Sequence, residues 1–291
     1  MIRYDVSAAA IEAAVDAVQP KWRGKAAKRT ATFVKAGKYA EKSAMWSDVK
    51  PVFMAAQRNK CVFCERQFEN ELYGKIEFDL EHFRPKSSVL AWPVAGRHDH
   101  SYDFDTGGAN EAGYYWLPYD LGNYAASCKV CNSNLKSNFF PVAGARLTAP
   151  GDLASEQAYL TYPIGPGDAA PESLISFVAT TAIPKAAGGA DRRRGQVAID
   201  FFDLNRREEL HRQRAAMIVL LGGALANISA GIGDDADEAL AERIVGDVFP
   251  HTNCLRSFRR LWDEDEAFGR RVLRSCKLYY ASAAGTPPPE A

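Results

Sequence analysis

Two short stretches, Cys61-Val-Phe-Cys64 and Cys128-Lys-Val-Cys131, decide how the rest of this 291-residue chain is read. Each places two thiols two residues apart, the spacing at which a tight turn aims both sulfurs at one cation. Together they supply the four ligands of a closed tetrahedral Zn²⁺ site, which contributes folding free energy outright. A single pair of this kind is also the spacing of buried cysteines and of redox couples. Two pairs flanking a polar, irregular segment point instead to one structural zinc held by Cys61, Cys64, Cys128 and Cys131. Cys254 and Cys276 stand alone, and no secretory signal opens the sequence, so the six cysteines do not read as a disulfide framework.

Between the two knuckles, residues 75–83 alternate apolar and polar side chains with period two. The alternation predicts a half-buried strand with Glu77, Asp79 and Glu81 on one face and Ile76, Phe78, Leu80 and His82 on the other. The strand runs into Glu81-His82-Phe83-Arg84-Pro85-Lys86, and Asn132 follows the second knuckle directly. A histidine beside a carboxylate, with a second oxygen ligand nearby, suits one-metal phosphodiester hydrolysis. The imidazole deprotonates water, and a hard cation neutralises the scissile phosphate and the leaving oxygen. Glu81 and Asn132 can hold Mg²⁺ or Mn²⁺ while leaving most of its coordination to water and phosphate.

Each residue also has a plainer reading. A histidine at a strand end is commonly a hydrogen-bonded structural residue, and Asn132 could cap a turn. Arg84, Lys86 and Lys136 could hold phosphate or be solvated surface cations. His98-Asp99-His100 has metal-binding chemistry but lies in a polar, solvent-facing loop, and His211 and His251 have no partner signature. Tyr114-Tyr115-Trp116 could stack bases, although large rings before a knuckle more commonly belong to the core.

Farther out, helical periodicity covers residues 7–19 and Trp46 to Arg58, with a basic Ala/Lys/Gly-rich connector between them. A helix is predicted to start in the second knuckle and to run through Asn132 and Lys136 before Pro141. Residues 85–113 read as a surface excursion. Residues 143–190 read as a loose crossover with strand-like pieces at Gln157–Tyr162 and Leu174–Val178. Three segments, Arg206–Ile228, Ala236–Val248 and Leu255–Ala281, predict a packed helical bundle. The organisation is then a basic N-terminal helical segment (1–45), a knuckle-bearing core (46–142), a crossover and helical region (143–284) and a disordered tail (285–291).

Thirty-six basic residues balance thirty-six acidic ones, so the whole molecule has no net pull toward a polyanion. The balance is uneven along the chain. Residues 1–60 carry twelve basic against five acidic side chains, which makes this fifth a polyanion-facing candidate. The alternative is that Lys21, Arg23, Lys25, Lys28 and Arg29 form only a solvated helix face. Ala215–Ile232 is apolar enough to approach a membrane span, but its paired glycines, Asn227 and Ser229 predict a buried helix instead. The reading is of a cytoplasmic protein with no membrane association.

The set Cys61/Cys64, Glu81-His82, Asn123, Cys128/Cys131 and Asn132 resembles the HNH, or ββα-metal, endonucleases. The resemblance implies an α+β fold in which a zinc-stapled, treble-clef-like ββα-metal core is embedded in a mainly helical chain. It makes His82 the general base, Glu81 and Asn132 ligands of the catalytic ion, and Asn123 the residue that holds the loop and orients the base. The longer patterns WSDVKPVFMAAQRNKCVFCE, EHFRPK, YYWLPYDLGNYAASCKVCNSNLKSNFFP and DLNRREELHRQR resemble the HNH proteins of bacterial anti-phage loci, notably those of Septu-type systems. That kinship implies a DNA-cutting effector, acting on duplex DNA, controlled by an ABC-type ATPase partner. Two features depart from the family pattern. Glu81 stands where Asp or His is commoner, which leaves Asp79 as a competing or additional ligand. Strict alternation would also put His82 on the opposite face from Glu81. The contrasting reading is a non-catalytic, zinc-dependent module that binds nucleic acid or protein as an adaptor for an ATPase; it has no need of Glu81, His82 and Asn132 together.

Overall fold

The computed structural model describes residues 1–69 and 77–284. Its element order begins with α1 (Ala8–Val18), α2 (Trp22–Ala36) and α3 (Lys50–Ala56), then β1 (Phe78–His82) and β2 (Tyr124–Cys128). It continues with a short helix α4 (Pro171–Leu174), β3 (Ile175–Val178), β4 (Thr181–Pro184), and helices α5 (Gly189–Phe201), α6 (Glu208–Ser229), α7 (Asp235–Arg243), α8 (Thr252–Glu264) and α9 (Glu266–Ala284). The chain is therefore α+β, with two small antiparallel sheets, β1–β2 and β3–β4, among the described residues.

The helices follow their local chemistry. Ser7 caps α1 by accepting a hydrogen bond from the Ala10 N–H. The segment between Pro20 and Lys42, expected to be a connector, is instead largely α2. Lysines and Gly24 dilute its pattern, but Trp22, Ala26 and Phe33 form a buried stripe, and Gly37 ends the helix in the left-handed conformation. The helix expected over Trp46–Arg58 is a 3₁₀ turn, Trp46–Val49, leading into α3, with Pro51 in the first turn.

The predicted strand over 75–83 is β1, Phe78–His82; residues 70–76, where its expected start falls, lie outside the described residues, as does the tail 285–291. β1 pairs antiparallel with β2, from Phe78 opposite Cys128 to His82 opposite Tyr124. Immediately after β2 a wide π-type helix, Val130–Lys136, begins inside the second knuckle and ends at Ser137, as the sequence predicts. α3 packs behind this hairpin, with Phe53 edge-on to Tyr124.

The C-terminal third departs further from expectation. No strand forms over Gln157–Tyr162, which makes only an isolated bridge through Ala158. β4 and α5 were not foreseen: β4 completes a hairpin with β3, and α5 buries Val197, Ala198, Ile199 and Phe201 after the run Arg192-Arg193-Arg194. The single helix expected over Leu255–Ala281 is two, because Asp265 is extended and its carboxylate accepts the Phe268 N–H as the cap of α9. α6 packs against α7, α8 and α9. It crosses α9 closely at Gly222, where a Cβ would stand 2.8 Å from Leu273 Cδ1. The Ala215–Ile232 stretch thus contributes a buried helix face, and no helix of the described residues is long and apolar enough to cross a membrane.

Candidate metal centre and adjoining polar cleft

The first knuckle is a backbone turn in which the Cys61 N–H donates to Arg66 O and the Glu65 N–H to Cys61 O. It is docked on β2 by the Val62 N–H, which donates to Ala126 O at 3.0 Å. This brings Cys61 and Cys64 against Cys128 and Cys131, at the end of β2 and the start of the π-helix. The ligand atoms of all four lie within 4.8 Å of one another, and every one is buried. Cys64 Sγ is 3.8 Å from Cys128 Sγ. Tetrahedral coordination with Zn–S bonds of about 2.3 Å sets sulfurs about 3.8 Å apart, so the donor set fits a structural zinc. The Cys128 N–H donates to Cys61 Sγ at 3.4 Å and Arg207 Nη1 to Cys131 Sγ at 3.3 Å. Burial pulls the Arg207 guanidinium down, but the Cys131 and Cys64 thiolates outweigh it and hold Arg207 above its ordinary value.

The same knuckle is gripped by distant parts of the chain. Phe63 stacks on Phe202 with ring centroids 4.1 Å apart. Glu65, buried next to Cys64, accepts from the Met1 amino group and from the Asn253 N–H of α8. Lys60 is buried and donates to Phe249 O and Thr252 Oγ1. Burial pushes its ammonium down to about 8.

At the other end of the hairpin lies a polar cleft of about 420 Å³, lined among others by Asp79, Glu81, His82, Lys86 and Asn132. His82 is only 6% exposed. Its ring is wedged edge-on against Trp46 and Tyr124, at 4.8 and 5.2 Å between centroids. Nε2 lies 3.1 Å from Pro118 O. A carbonyl oxygen only accepts, so Nε2 carries the proton, and in the neutral ring Nδ1 keeps its lone pair. Burial first, and the nearby Lys86 charge second, hold the ring well below the ordinary imidazole value. The result is a neutral imidazole in one defined tautomer. Tyr124 Oη donates to the same Pro118 carbonyl.

Glu81 and His82 both line the cleft, although strict alternation assigns them to opposite faces. The paired strand ends at His82, and the Phe83 N–H donates to Asn123 O in the same register, so both residues border the cleft from the last rungs of the hairpin. Glu81 Oε1 is 2.6 Å from Lys136 Nζ, and Lys136, itself fully buried, also donates to His82 O. Burial opposes charge on both members, raising Glu81 and lowering Lys136, and their mutual attraction offsets part of that cost. Asp79, on the hairpin side that faces the π-helix, accepts from Asn132 Nδ2 at 3.1 Å and from Lys129 Nζ at 2.9 Å. Three oxygen-bearing side chains, Asp79, Glu81 and Asn132, thus border one small space, a donor set suited to a hard divalent ion.

Asn123 is buried outside the cleft and staples its floor. Its Oδ1 accepts from the Arg84 N–H at 2.7 Å, and its Nδ2 donates to Arg84 O and Leu117 O. That fixes the residues directly after His82 and the one directly before Pro118. Of the three cations expected to hold phosphate, only Lys86 lines the cleft, with its Nζ 4.5 Å from the Trp46 ring centroid. Lys136 is committed to Glu81. Arg84 turns away to Glu156, 3.2 Å distant and fully buried. His98 and His100 flank Trp92 in a half-buried loop, while Asp99 is exposed and paired with Arg206, so the three do not converge. His211 and His251 are hydrogen-bonded structural residues, and Tyr114-Tyr115-Trp116 is core.

Sequence reasoning missed the Pro118 carbonyl and Trp46, the two groups that seat His82. A backbone acceptor leaves no signature in residue type, whereas Trp46 was read only as the start of a helix.

No family model matches the chain, and no solved structure matches it. Over 185 residues, 63% of its length, it is 31% identical to the Septu protein PtuB of Bacillus mycoides (strain KBAB4). The chain is similar to a Septu protein. The aligned part covers 55% of PtuB, so the chain spans about half the length of that relative.

Proposed function

We propose that this chain is an HNH-type, metal-dependent endonuclease that hydrolyses DNA phosphodiester bonds, with His82 as general base. The observation that carries the reading is the seating of His82: a neutral ring whose Nε2–H is held by the Pro118 carbonyl, with Nδ1 left as a proton acceptor in a cleft lined by Asp79, Glu81 and Asn132. The hairpin-and-helix unit that presents these groups is anchored at its far end by the four-cysteine cluster, an arrangement that supports reading the unit as a ββα-metal core.

Nδ1 takes the proton from the attacking water, and the Pro118 carbonyl stabilises the imidazolium that results. Asp79, Glu81 and Asn132 would hold a Mg²⁺ or Mn²⁺ ion, which supplies charge neutralisation at the phosphate and the leaving oxygen. Lys136 orients Glu81, and Lys86 offers a cation to a phosphate at the cleft rim. Asn123 keeps the segments on either side of His82 and Pro118 in register. The similarity to a Septu protein supports a role in anti-phage defence, and the ATPase partner is taken from the sequence resemblance alone.

The test is cleavage of supercoiled plasmid by purified protein in Mg²⁺ or Mn²⁺, beside His82→Ala and a chelator control. Nicking or linearisation that disappears in both controls is the expected result. Retained cleavage by His82→Ala protein sinks the assignment.

A further inference from the structure

α2 contains no acidic residue, and Lys21, Lys25, Lys28, Thr32 and Lys35 recur on it at intervals of four and three residues. That periodicity sets them on one narrow stripe of the helix surface, to the side of the buried stripe formed by Trp22, Ala26 and Phe33. Fourteen residues at about 1.5 Å each make the stripe about 21 Å long. All four lysines are exposed, and so are Lys38 and Lys42 in the loop that follows.

The neighbouring acids are already taken. Glu12 and Asp16 of α1 pair with Arg23, and Glu41 pairs with Arg29. Among the described residues none of the six lysines has an ion-pair partner within 4.0 Å. The stripe is therefore uncompensated positive charge, in a molecule whose total charge is zero.

Its C-terminal end leads to the cleft. Phe33 of α2 packs on Tyr39, Tyr39 on Trp46, and Trp46 on His82. Lys86 lies over both the Tyr39 and Trp46 rings, at 5.6 and 4.5 Å. The loop that follows α2 and carries Lys38 and Lys42 thus reaches, at Tyr39, a cation at the cleft rim.

We propose that the lysine stripe of α2, with Lys38 and Lys42, is the surface along which a DNA duplex lies when a phosphodiester enters the cleft. The inference rests on the endonuclease reading above and assigns that site its substrate-positioning surface. A straight row of cations about 21 Å long matches the backbone of about six base pairs of a rigid duplex. Single strands are held in grooves with aromatic platforms, and this stripe presents none, since Trp22 and Phe33 face inward.

The experiment measures equilibrium binding to a fluorescent duplex of about 30 base pairs, in chelator so that nothing is cut, between about 0.05 and 0.3 M salt. The full chain is compared with a variant carrying Lys25→Gln, Lys28→Gln, Lys35→Gln and Lys38→Gln. Glutamine keeps helix propensity, and an unchanged melting temperature and zinc content verify the fold. The variant is expected to bind roughly tenfold or more weakly, with the slope of log K against log salt reduced by about four. His82→Ala protein should bind as the parent does. Unchanged affinity and slope in the quadruple variant, the result expected of a stripe that docks an acidic protein, overturn the proposal, as does a parent chain that shows no salt-dependent DNA binding. Stripe-dependent binding beside plasmid cleavage that His82→Ala protein retains would remove the assignment of the site and leave this surface standing. Cleavage with stripe-independent binding would do the reverse.

Discussion

One hairpin carries two sites of opposite character. Where Phe78 faces Cys128 the surroundings are dry, and four thiols face one another with a guanidinium alongside, a set that four-coordinate metal binding satisfies completely. Where His82 faces Tyr124 the groups are hard oxygens, an imidazole nitrogen without a partner among the described residues, and cations, around a cleft open to solvent. A centre whose valences are all filled by the protein holds a fold together. A centre that leaves acceptors and charges for something else is suited to chemistry. The hairpin lets the closed site fix the strands that aim the open one.

If that division holds, the largest effect belongs to the thiol end. Cys61→Ser or Cys131→Ser is expected to abolish zinc binding and soluble expression, since structural zinc contributes about 10–16 kcal/mol in small zinc domains. Metal analysis, and melting with and without a strong chelator, check this; equal melting temperatures break the comparison at its first term. At the other end, His82→Ala is expected to lower the cleavage rate by about 10²–10⁴-fold, with zinc content and melting temperature unchanged. A variant that loses both activity and zinc would mean that the two ends are not separable.

Lys136→Met sharpens the contrast further. It leaves Glu81 buried without a counter-charge and is expected to cost about 3–5 kcal/mol in urea denaturation, whereas the double variant Glu81→Gln/Lys136→Met recovers most of it. Equal losses in single and double variants would deny the coupling. The smallest effect lies away from both ends. Burial pushes His251 down to about 4 in the folded chain, against an ordinary value of 6.5. The unfolded state therefore binds the proton first, so its contribution is fully present above pH 6.5 and is lost as pH falls toward 4. The loss amounts to about 3 kcal/mol. A His251→Gln variant should show a flatter stability profile across that window, and parallel profiles would remove His251 from the account.

The thiol end was legible in the sequence because metal geometry demands a spacing, and a spacing survives without coordinates. Glu81, His82 and Asn132 were picked out by position relative to the knuckles, and all three line one cleft, which is a placement and not a role. What could not be read was the part played by backbone and by burial. Pro118 acts through a carbonyl that every residue has. Arg84 looked like a phosphate ligand until Glu156, seventy-two positions away, was placed against it. Lys136 looked like a surface cation until its side chain was found fully buried. α2 was read only as a basic connector or a solvated helix face because its lysines masked a three-residue apolar stripe, and the break at Asp265 was missed because apolar periodicity runs across a cap without registering it.

The strands of the hairpin are joined not by a tight turn but by residues 83–123, held in place at Asn123. The entropy of closing a loop grows only with the logarithm of its length, so doubling this connection costs roughly 0.6 kcal/mol. Its exposed tip at Ala95–Arg97 is then a place where the chain can lengthen cheaply, with the residues that seat His82 clamped beyond the reach of the insertion. A tag or a domain inserted at the tip should leave the hairpin register as it is.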